Sequence, residues 1–466
     1  MKIKFGTDGW RAIIADDYTV DNVKRVAAGT AKWVLKNGTS KTIVIGHDCR
    51  FGGQLFSETT ARVMCANGIK VFLAKKFVST PMISLASRNL KVDIGVIITA
   101  SHNPPSYNGY KLKSNTGGPA DTSIIKAVED LIPDSVDLDL KSMEEYEKQK
   151  LIENVDLEKM YLDQIYAHFN LDKINKAKFS FVYDAMFGAG QNVMKKLFPN
   201  ETLLHCEVNP SFNGTAPEPI DKNLKELGAL LKGGKKYHCG IATDGDADRI
   251  GMYDEDGAFV DSHHLILLLI LYLHKYKKIN GKVVIAFSVS EKIKKMCSVY
   301  NLPVEITQIG FKYISPIMVK EDVLVGAEES GGLAVKGHIP ERDGIWVALL
   351  MLEFMAETGK SLKQLVQEVY DIVGKFFYDR YDWHLDDTTK QRIIEKCKQN
   401  KFQSFGSYKI NKVETIDGFK YLLDNEAWVL VRASGTEPLL RVYAETSSSA
   451  ETEKLLEAAK AELAAN

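Results

Sequence analysis

GVIITASHNPPSYNGYKLKS, residues 95–114, begins as an apolar strand and breaks into a polar loop. Ser101 follows the strand directly, His102 and Asn103 come next, and Lys111 stands ten residues beyond the serine. Pro104 and Pro105 fix φ and stiffen the loop. A nearly continuous apolar strand is what a sheet covered on both faces requires. Open α/β sheets bind ligands beyond the carboxyl ends of their strands. The serine therefore stands where such a fold places its chemistry.

Working outward, short apolar strands recur between longer stretches of helical period. TIVIG (42–46) and IKVFLA (69–74) precede the opening stretch. FSFVYDA (179–185), HCGIATD (238–244), KVVIAFS (282–288) and DVLVGAE (322–328) follow it. Strands alternating with helices predict parallel βαβ units. The last stretch, with YDRYDWHL, EAWVLVRASG, LRVYAETSS and ETEKLLEAAKAEL, reads as a small α+β domain. The predicted fold is three α/β domains with mixed, mostly parallel sheets and a C-terminal α+β domain. The expected boundaries are 1–150, 151–256, 257–373 and 374–466. The first falls in the charge-dense stretch 139–156, read as a helix or linker.

Composition sets the class. A chain of 466 residues exceeds a single core. Apolar residues at 45% and charged residues at 26% match a soluble globular protein. A net charge of −1 gives no pull toward nucleic acid or an anionic membrane. The six cysteines show no CxxC spacing, which predicts reduced thiols and a cytoplasmic protein. MKIKFGTDGWRA lacks an apolar h-region, so no signal peptide is expected. LILLLILYL (265–273) is shorter than the ~20 residues that span a bilayer, and reads as a buried helix.

Four loops carry candidate chemistry. In TDGDADR, Asp244, Asp246 and Asp248 alternate, and extended chain would put their carboxylates on one side. Converging carboxylates repel unless a cation sits among them, and all-oxygen ligands favour a hard ion such as Mg²⁺. An EF-hand is disfavoured by Arg249 at the sixth position and by strand-like flanks. A solvated acidic turn is the plainer alternative. Arg249 suits an anion or a structural ion pair. Ser101 suits a phosphoryl carrier facing a metal; its T-A-S-H-N context lacks the esterase elbow, and an N-cap or turn serine is the alternative.

AEESGG offers Glu328, Glu329 and Ser330, a set suited to vicinal sugar hydroxyls or to an exposed acidic turn. RASGTEP offers Arg432, Ser434, Gly435 and Thr436 as an anion cradle, with Arg441 on the next strand, or a plain turn. Taken together, the loops suit a phosphorylated sugar.

FGTDGWR, TASHNPPSYNGYK, TDGDADR, AEESGG and RASGTEP, in that order over essentially the whole chain, resemble the α-D-phosphohexomutase family. The resemblance implies four domains around a central cleft and Ser101 as the residue phosphorylated in the active enzyme. It implies Mg²⁺ on Asp244, Asp246 and Asp248, completed by an oxygen of phosphorylated Ser101. It assigns His102 and Lys111 to acid–base help, and Arg11 and Arg249 to the cleft near the phosphoserine. As a base Lys111 would need a lowered pKa, which burial and nearby cations are expected to supply. Glu328 and Ser330 would hold sugar hydroxyls. Arg432, Ser434, Gly435 and Thr436 would hold the distal phosphate. Lys312 and His338 are further matches to cleft residues.

The implied reaction is reversible transfer of phosphate between C1 and C6 of a hexose, glucose 1-phosphate first, through a hexose 1,6-bisphosphate. A phosphomannomutase or dual-specificity enzyme is the alternative. An amino-sugar mutase, a phosphatase or a silent sugar-phosphate sensor come after it. The expected partner is a small sugar phosphate, without nucleic acid or membrane, for a monomer or small homo-oligomer.

Overall fold

The computed structural model describes residues 2–6, 8–177, 179–234, 236–433 and 439–465. The apolar strands form the expected sheets. The first sheet contains β1 (Trp10–Ile13), β2 (Thr42–His47), β3 (Lys70–Ala74), β4 (Ile94–Ile98), β5 (Tyr107–Ser114) and β6 (Ile152–Val155), in the order β1-β5-β4-β2-β3-β6. The β2–β3, β2–β4 and β3–β6 pairs are parallel; β1–β5 and β4–β5 are antiparallel. Helices Gly53–Ala66 and Thr80–Asn89 make the crossovers between parallel strands, as parallel pairing requires. All of Ile94–Ile98 is buried. The chain leaves β4 at the serine loop and returns antiparallel as β5, with Lys111 opposite Ile97. Lys111 and Lys113 are two apart, so they project to one face of β5.

The second sheet contains β7 (Phe181–Asp184), β8 (Thr202–Leu204), β9 (Cys239–Thr243), β10 (Ile250–Tyr253) and β11 (Phe259–Val260), ordered β11-β10-β9-β7-β8. TDGDADR joins the antiparallel pair β9 and β10. AEESGG likewise turns between antiparallel strands Val323–Ala327 and Leu333–Val335.

Two sequence expectations change. The stretch 139–156 holds the helix read there, Met143–Lys148, opened by a Ser142/Glu145 capping box, but continues into β6. Parallel pairing with β3 buries Ile152 and carries the first sheet past the expected boundary at residue 150. LILLLILYL is buried as expected, but the α-helix Ser262–Ile270 passes into a π-helical turn at Leu271–Tyr276. Among the described residues, no helix is long and apolar enough to cross a membrane.

The chain divides into two compact units: residues 1–284 with 310–365, and 285–309 with 366–466. The second unit holds a six-stranded sheet whose named pairings are antiparallel, matching the α+β expectation. Strand Trp428–Ala433 shows the period of two. Val429 and Val431 pack with Ile393, Leu455 and Ala459 of helices Asp387–Lys398 and Ser449–Ala464. Trp428 and Leu430 pack with Phe287 and Tyr443.

Glu445 is buried in the same unit, on strand Leu439–Thr446. Burial pushes its carboxyl up to about 7, and Ser290, Lys420, Trp428 and Lys292 offset that only in part. An acid whose folded-state pKa exceeds its unfolded value stabilises at low pH, and loses that contribution as pH rises through the folded value. Glu445→Gln should therefore gain stability over the parent by roughly 1–3 kcal/mol between about pH 5 and about pH 8. Denaturant melts of both proteins across that window check it; a pH-independent difference contradicts it.

Candidate active site

The serine loop and the aspartate loop touch in the first unit. Ser101 has left-handed backbone (φ 52°) and is 1% exposed. Its Oγ donates to Asp244 Oδ2 at 2.7 Å. Asp244 Oδ1 accepts the Asp248 N–H at 2.9 Å and the Arg249 N–H at 3.1 Å. The aspartates thus converge through a tight turn with Ala247 left-handed (φ 56°), not through extended chain as the spacing suggested. The turn wins because it lets one carboxylate collect two backbone N–H groups. A Cβ on Gly245 would stand 2.6 Å from the Ser101 carbonyl oxygen, so glycine is what lets the loops meet.

One oxygen each from Asp244, Asp246 and Asp248 lie within 4.8 Å of one another, and all three residues are buried. Asp246 Oδ1 and Asp248 Oδ1 have no hydrogen-bond partner. Burial, then Asp246 and Asp248, push the Asp244 carboxyl well up. Oxygen-only donors with orphaned lone pairs and an unfavourable negative charge fit a hard divalent cation.

Protein cations surround the cluster. Lys111 Nζ lies 2.8 Å from Asp246 Oδ2, 2.9 Å from Asp8 and 3.6 Å from Asp248. Burial opposes the Lys111 charge, yet Asp246, Asp8 and Asp248 outweigh it and raise the pKa. Three carboxylates outweigh burial here; the lowering expected from sequence counts on cations among those same carboxylates. Thr80 Oγ1 donates to Asp246 at 2.6 Å. Burial would raise Asp246, but Lys111 and Thr80 hold it well below the usual range.

Two charged groups central to the site went unnoticed in the sequence. Arg342 reaches Asp248 at 2.7 Å, Asp8 at 2.8 Å and Glu328 at 3.4 Å. Asp8 collects Lys111, Arg342, Arg11 at 3.9 Å and Lys113 at 4.0 Å. Burial works against the Asp8 charge; these four cations hold its pKa well below the carboxylate range. Lys113 also meets Glu341 at 2.6 Å, and Glu341 accepts from Ser84 at 3.0 Å. Asp8 lies inside the quoted FGTDGWR and Arg342 stands four residues beyond His338, but their partners are scattered along the chain.

The other candidates fall as follows. His102 Nδ1 lies 3.4 Å from Ser101 Oγ. Burial, Arg249 and Arg11 push its pKa well down, so the ring is neutral. Arg11 donates to Asn103 Oδ1 at 2.6 Å. Arg249 NH1 lies 3.6 Å from Glu218. Burial raises Glu328 to about 7 despite Arg342. Ser330 is half-buried in its turn. Lys312 lies over the Tyr313 ring.

His338 is not brought to the cluster. Its Nε2 meets Asp343 at 2.9 Å and its ring stacks on Trp346 at 3.6 Å. Asp343 also caps helix Gly344–Thr358, accepting from the Trp346 N–H. In the second unit, Arg432 pairs with Asp417 at 3.1 Å and Arg441 with Asp382 at 3.6 Å. The expected cradle residues Ser434, Gly435 and Thr436 lie outside the described residues.

Four family models match the chain. They are the phosphoglucomutase/phosphomannomutase alpha/beta/alpha domains I, II and III, at residues 2–137, 159–257 and 261–373, and the C-terminal domain, at 390–462. A phosphoglucosamine mutase of Methanococcus maripaludis is 30% identical, covering 98% of this chain and 97% of its own. A phosphoglucomutase/phosphomannomutase of Thermococcus kodakarensis is 27% identical over 97% of this chain and 96% of its own. The crystal structure of a candidate phosphomannomutase from Thermus thermophilus superposes with a TM-score of 0.88, at 33% identity and 100% coverage of both chains.

Calorimetric titration with Mg²⁺ tests the aspartate cluster. Asp246→Asn and Asp248→Asn should each weaken binding by more than the about 10–100-fold that losing a supporting partner costs. Unchanged affinity in either variant contradicts the assignment.

Proposed function

The chain belongs to the α-D-phosphohexomutase superfamily, isomerases that move phosphate within one sugar phosphate, and from that premise we propose that it interconverts hexose 1-phosphate and hexose 6-phosphate through phosphorylated Ser101. The observation that carries this reading is the Ser101 Oγ, buried and 2.7 Å from Asp244 of a three-carboxylate cluster. A hydroxyl there can carry a phosphoryl group beside a bound cation.

In this reading the Ser101–phosphorus bond breaks as a sugar hydroxyl bonds the phosphorus, giving a 1,6-bisphosphate. The bisphosphate turns over in place and returns its other phosphate to Ser101. Asp244, Asp246 and Asp248 would hold Mg²⁺, which supplies positive charge to the phosphoryl oxygens. Lys111, within 3.6 Å of Asp246, Asp8 and Asp248, would neutralise the transferring group. His102, with its Nδ1 3.4 Å from Ser101 Oγ, is placed to exchange a proton with the serine oxygen. Arg11 and Arg249 suit the oxygens of the phosphoryl group. Burial of Ser101 keeps water from the ester.

Glu328, Glu329 and Ser330 would take the sugar hydroxyls, and the two adjacent glutamates favour glucose, with mannose second. Arg432 and Arg441 stand directly opposite each other on antiparallel strands. Two guanidiniums side by side suit the oxygens of a phosphate, with Asp417 and Asp382 holding the forks in place. A second reading is an amino-sugar mutase, favoured by relatives such as the Methanococcus maripaludis phosphoglucosamine mutase at 30% identity.

A coupled assay with Mg²⁺, a trace of the matching bisphosphate, and the 1-phosphates of glucose, mannose and glucosamine tests the function and ranks the sugars by kcat/KM. Ser101→Ala should lower turnover on every sugar by about 10³-fold or more, the scale on which loss of a nucleophile acts. Near-parent turnover refutes its role. Arg432→Ala should raise KM for the sugar phosphate while Mg²⁺ affinity stays at the parent value; a calorimetric loss of Mg²⁺ binding contradicts the placement.

A further inference from the structure

Four backbone carbonyls of the serine loop point at one side chain. Arg50, buried at 3% exposure, donates from NH1 to Pro104 O at 2.9 Å and Tyr107 O at 3.2 Å. From NH2 it donates to Asn103 O at 2.7 Å and to Ser101 O. Its guanidinium lies 5.0 Å over the Phe212 ring. Its charge is balanced by Asp48, which accepts from the Arg50 N–H at 2.9 Å and lies 3.4 Å from Arg50 Nε. Thr99 Oγ1 donates to Asp48 Oδ2 at 2.5 Å and accepts the Ser101 N–H at 2.9 Å.

A ring therefore closes: Arg50, Ser101 carbonyl, Ser101 N–H, Thr99 hydroxyl, Asp48, Arg50. Both backbone polar groups of Ser101 belong to it. Ser101 needs such restraint, because a left-handed φ of 52° disfavours a residue with a Cβ. A guanidinium offers five donors in a fixed plane, enough for the four carbonyls and Asp48; an ammonium offers three, fewer than the carbonyls present.

We propose that Arg50 is a positioning residue for phosphoryl transfer, holding Ser101 in its left-handed conformation through the ring with Asp48 and Thr99 so that Oγ meets the aspartate cluster. The proposal rests on the reading of Ser101 as the phosphoryl carrier. In it Arg50 acts through the loop and not on the sugar, so its loss should slow transfer and spare substrate affinity.

The test follows phosphate arriving on the Ser101 peptide by mass spectrometry, with dephosphorylated full-length protein, Mg²⁺ and glucose 1,6-bisphosphate. Parent, Arg50→Lys and Thr99→Val are compared over a range of bisphosphate, and circular dichroism confirms folding. Arg50→Lys should cut the saturating rate by about 10²-fold, the cost of a misplacement of about 1 Å. The half-saturating concentration should stay within about threefold of the parent, since uniform substrate binding is untouched. Thr99→Val leaves Arg50 in place but opens the ring, and should slow transfer in the same direction. It decides the matter if Arg50→Lys does not fold.

A parent-like saturating rate in the folded variants overturns the proposal while the mutase reading stands. A raised half-saturating concentration at unchanged rate also overturns it, by making Arg50 a substrate ligand. A parent that takes up no phosphate on Ser101 from the 1,6-bisphosphate of glucose, mannose or glucosamine overturns the mutase reading, and this proposal with it.

Discussion

Buried negative charge is the constraint on which the site depends. Asp244, Asp246, Asp248 and Glu341 are among the buried charged residues, with Asp8 and Glu328 beside them. Isolated carboxylates at such depth would cost several kcal/mol each, so they persist only if paired. Lys111, Lys113 and Arg342 supply the pairing. The balance is uneven. Asp246 is held ionised by Lys111 and Thr80, whereas burial, then Asp246 and Asp248, drive Asp244 toward protonation. That residual need for positive charge lies beside the Ser101 hydroxyl, where a divalent cation would relieve it.

The same pairing ties distant chain segments together. Arg342 reaches Asp8 across 334 residues of sequence, and Lys113 reaches Glu341 across 228. Backbone bonds add to the side-chain contacts. The Thr80 N–H meets the Asp246 carbonyl at 3.0 Å, and the Ile250 N–H meets the Gly331 carbonyl at 3.1 Å. Through the second bond the strand leaving the aspartate loop fixes the AEESGG turn. A group-transfer site needs this registry, because phosphoryl transfer relies on positioning and charge placement rather than on covalent chemistry by the protein.

Much of this was legible in the residues. Apolar runs such as GVIIT and CGIA gave the strands, because burial on both faces leaves a simple signature. Ser101 and the three aspartates were legible because each lies just beyond such a strand. The manner of their convergence was not. Spacing suggested extended chain, whereas Asp244 folds the loop into a turn by accepting the N–H groups of Asp248 and Arg249. Nor were the partners of His338 legible: Asp343 and Trp346 hold its ring at a helix start.

By itself the sequence determined the strand pattern, the three-plus-one domain scheme and the residue types offered at the strand ends, since these depend on neighbours a few positions apart. Tertiary structure alone decided which charges meet. Lys111 looked like a base awaiting a lowered pKa; folding sets it among three carboxylates from two other loops, which favour its charge. Asp8, Arg50 and Arg342 looked like ordinary charged residues until folding surrounded them. Coulomb energies and desolvation depend on distance and depth in the folded chain, and neither is written in local order.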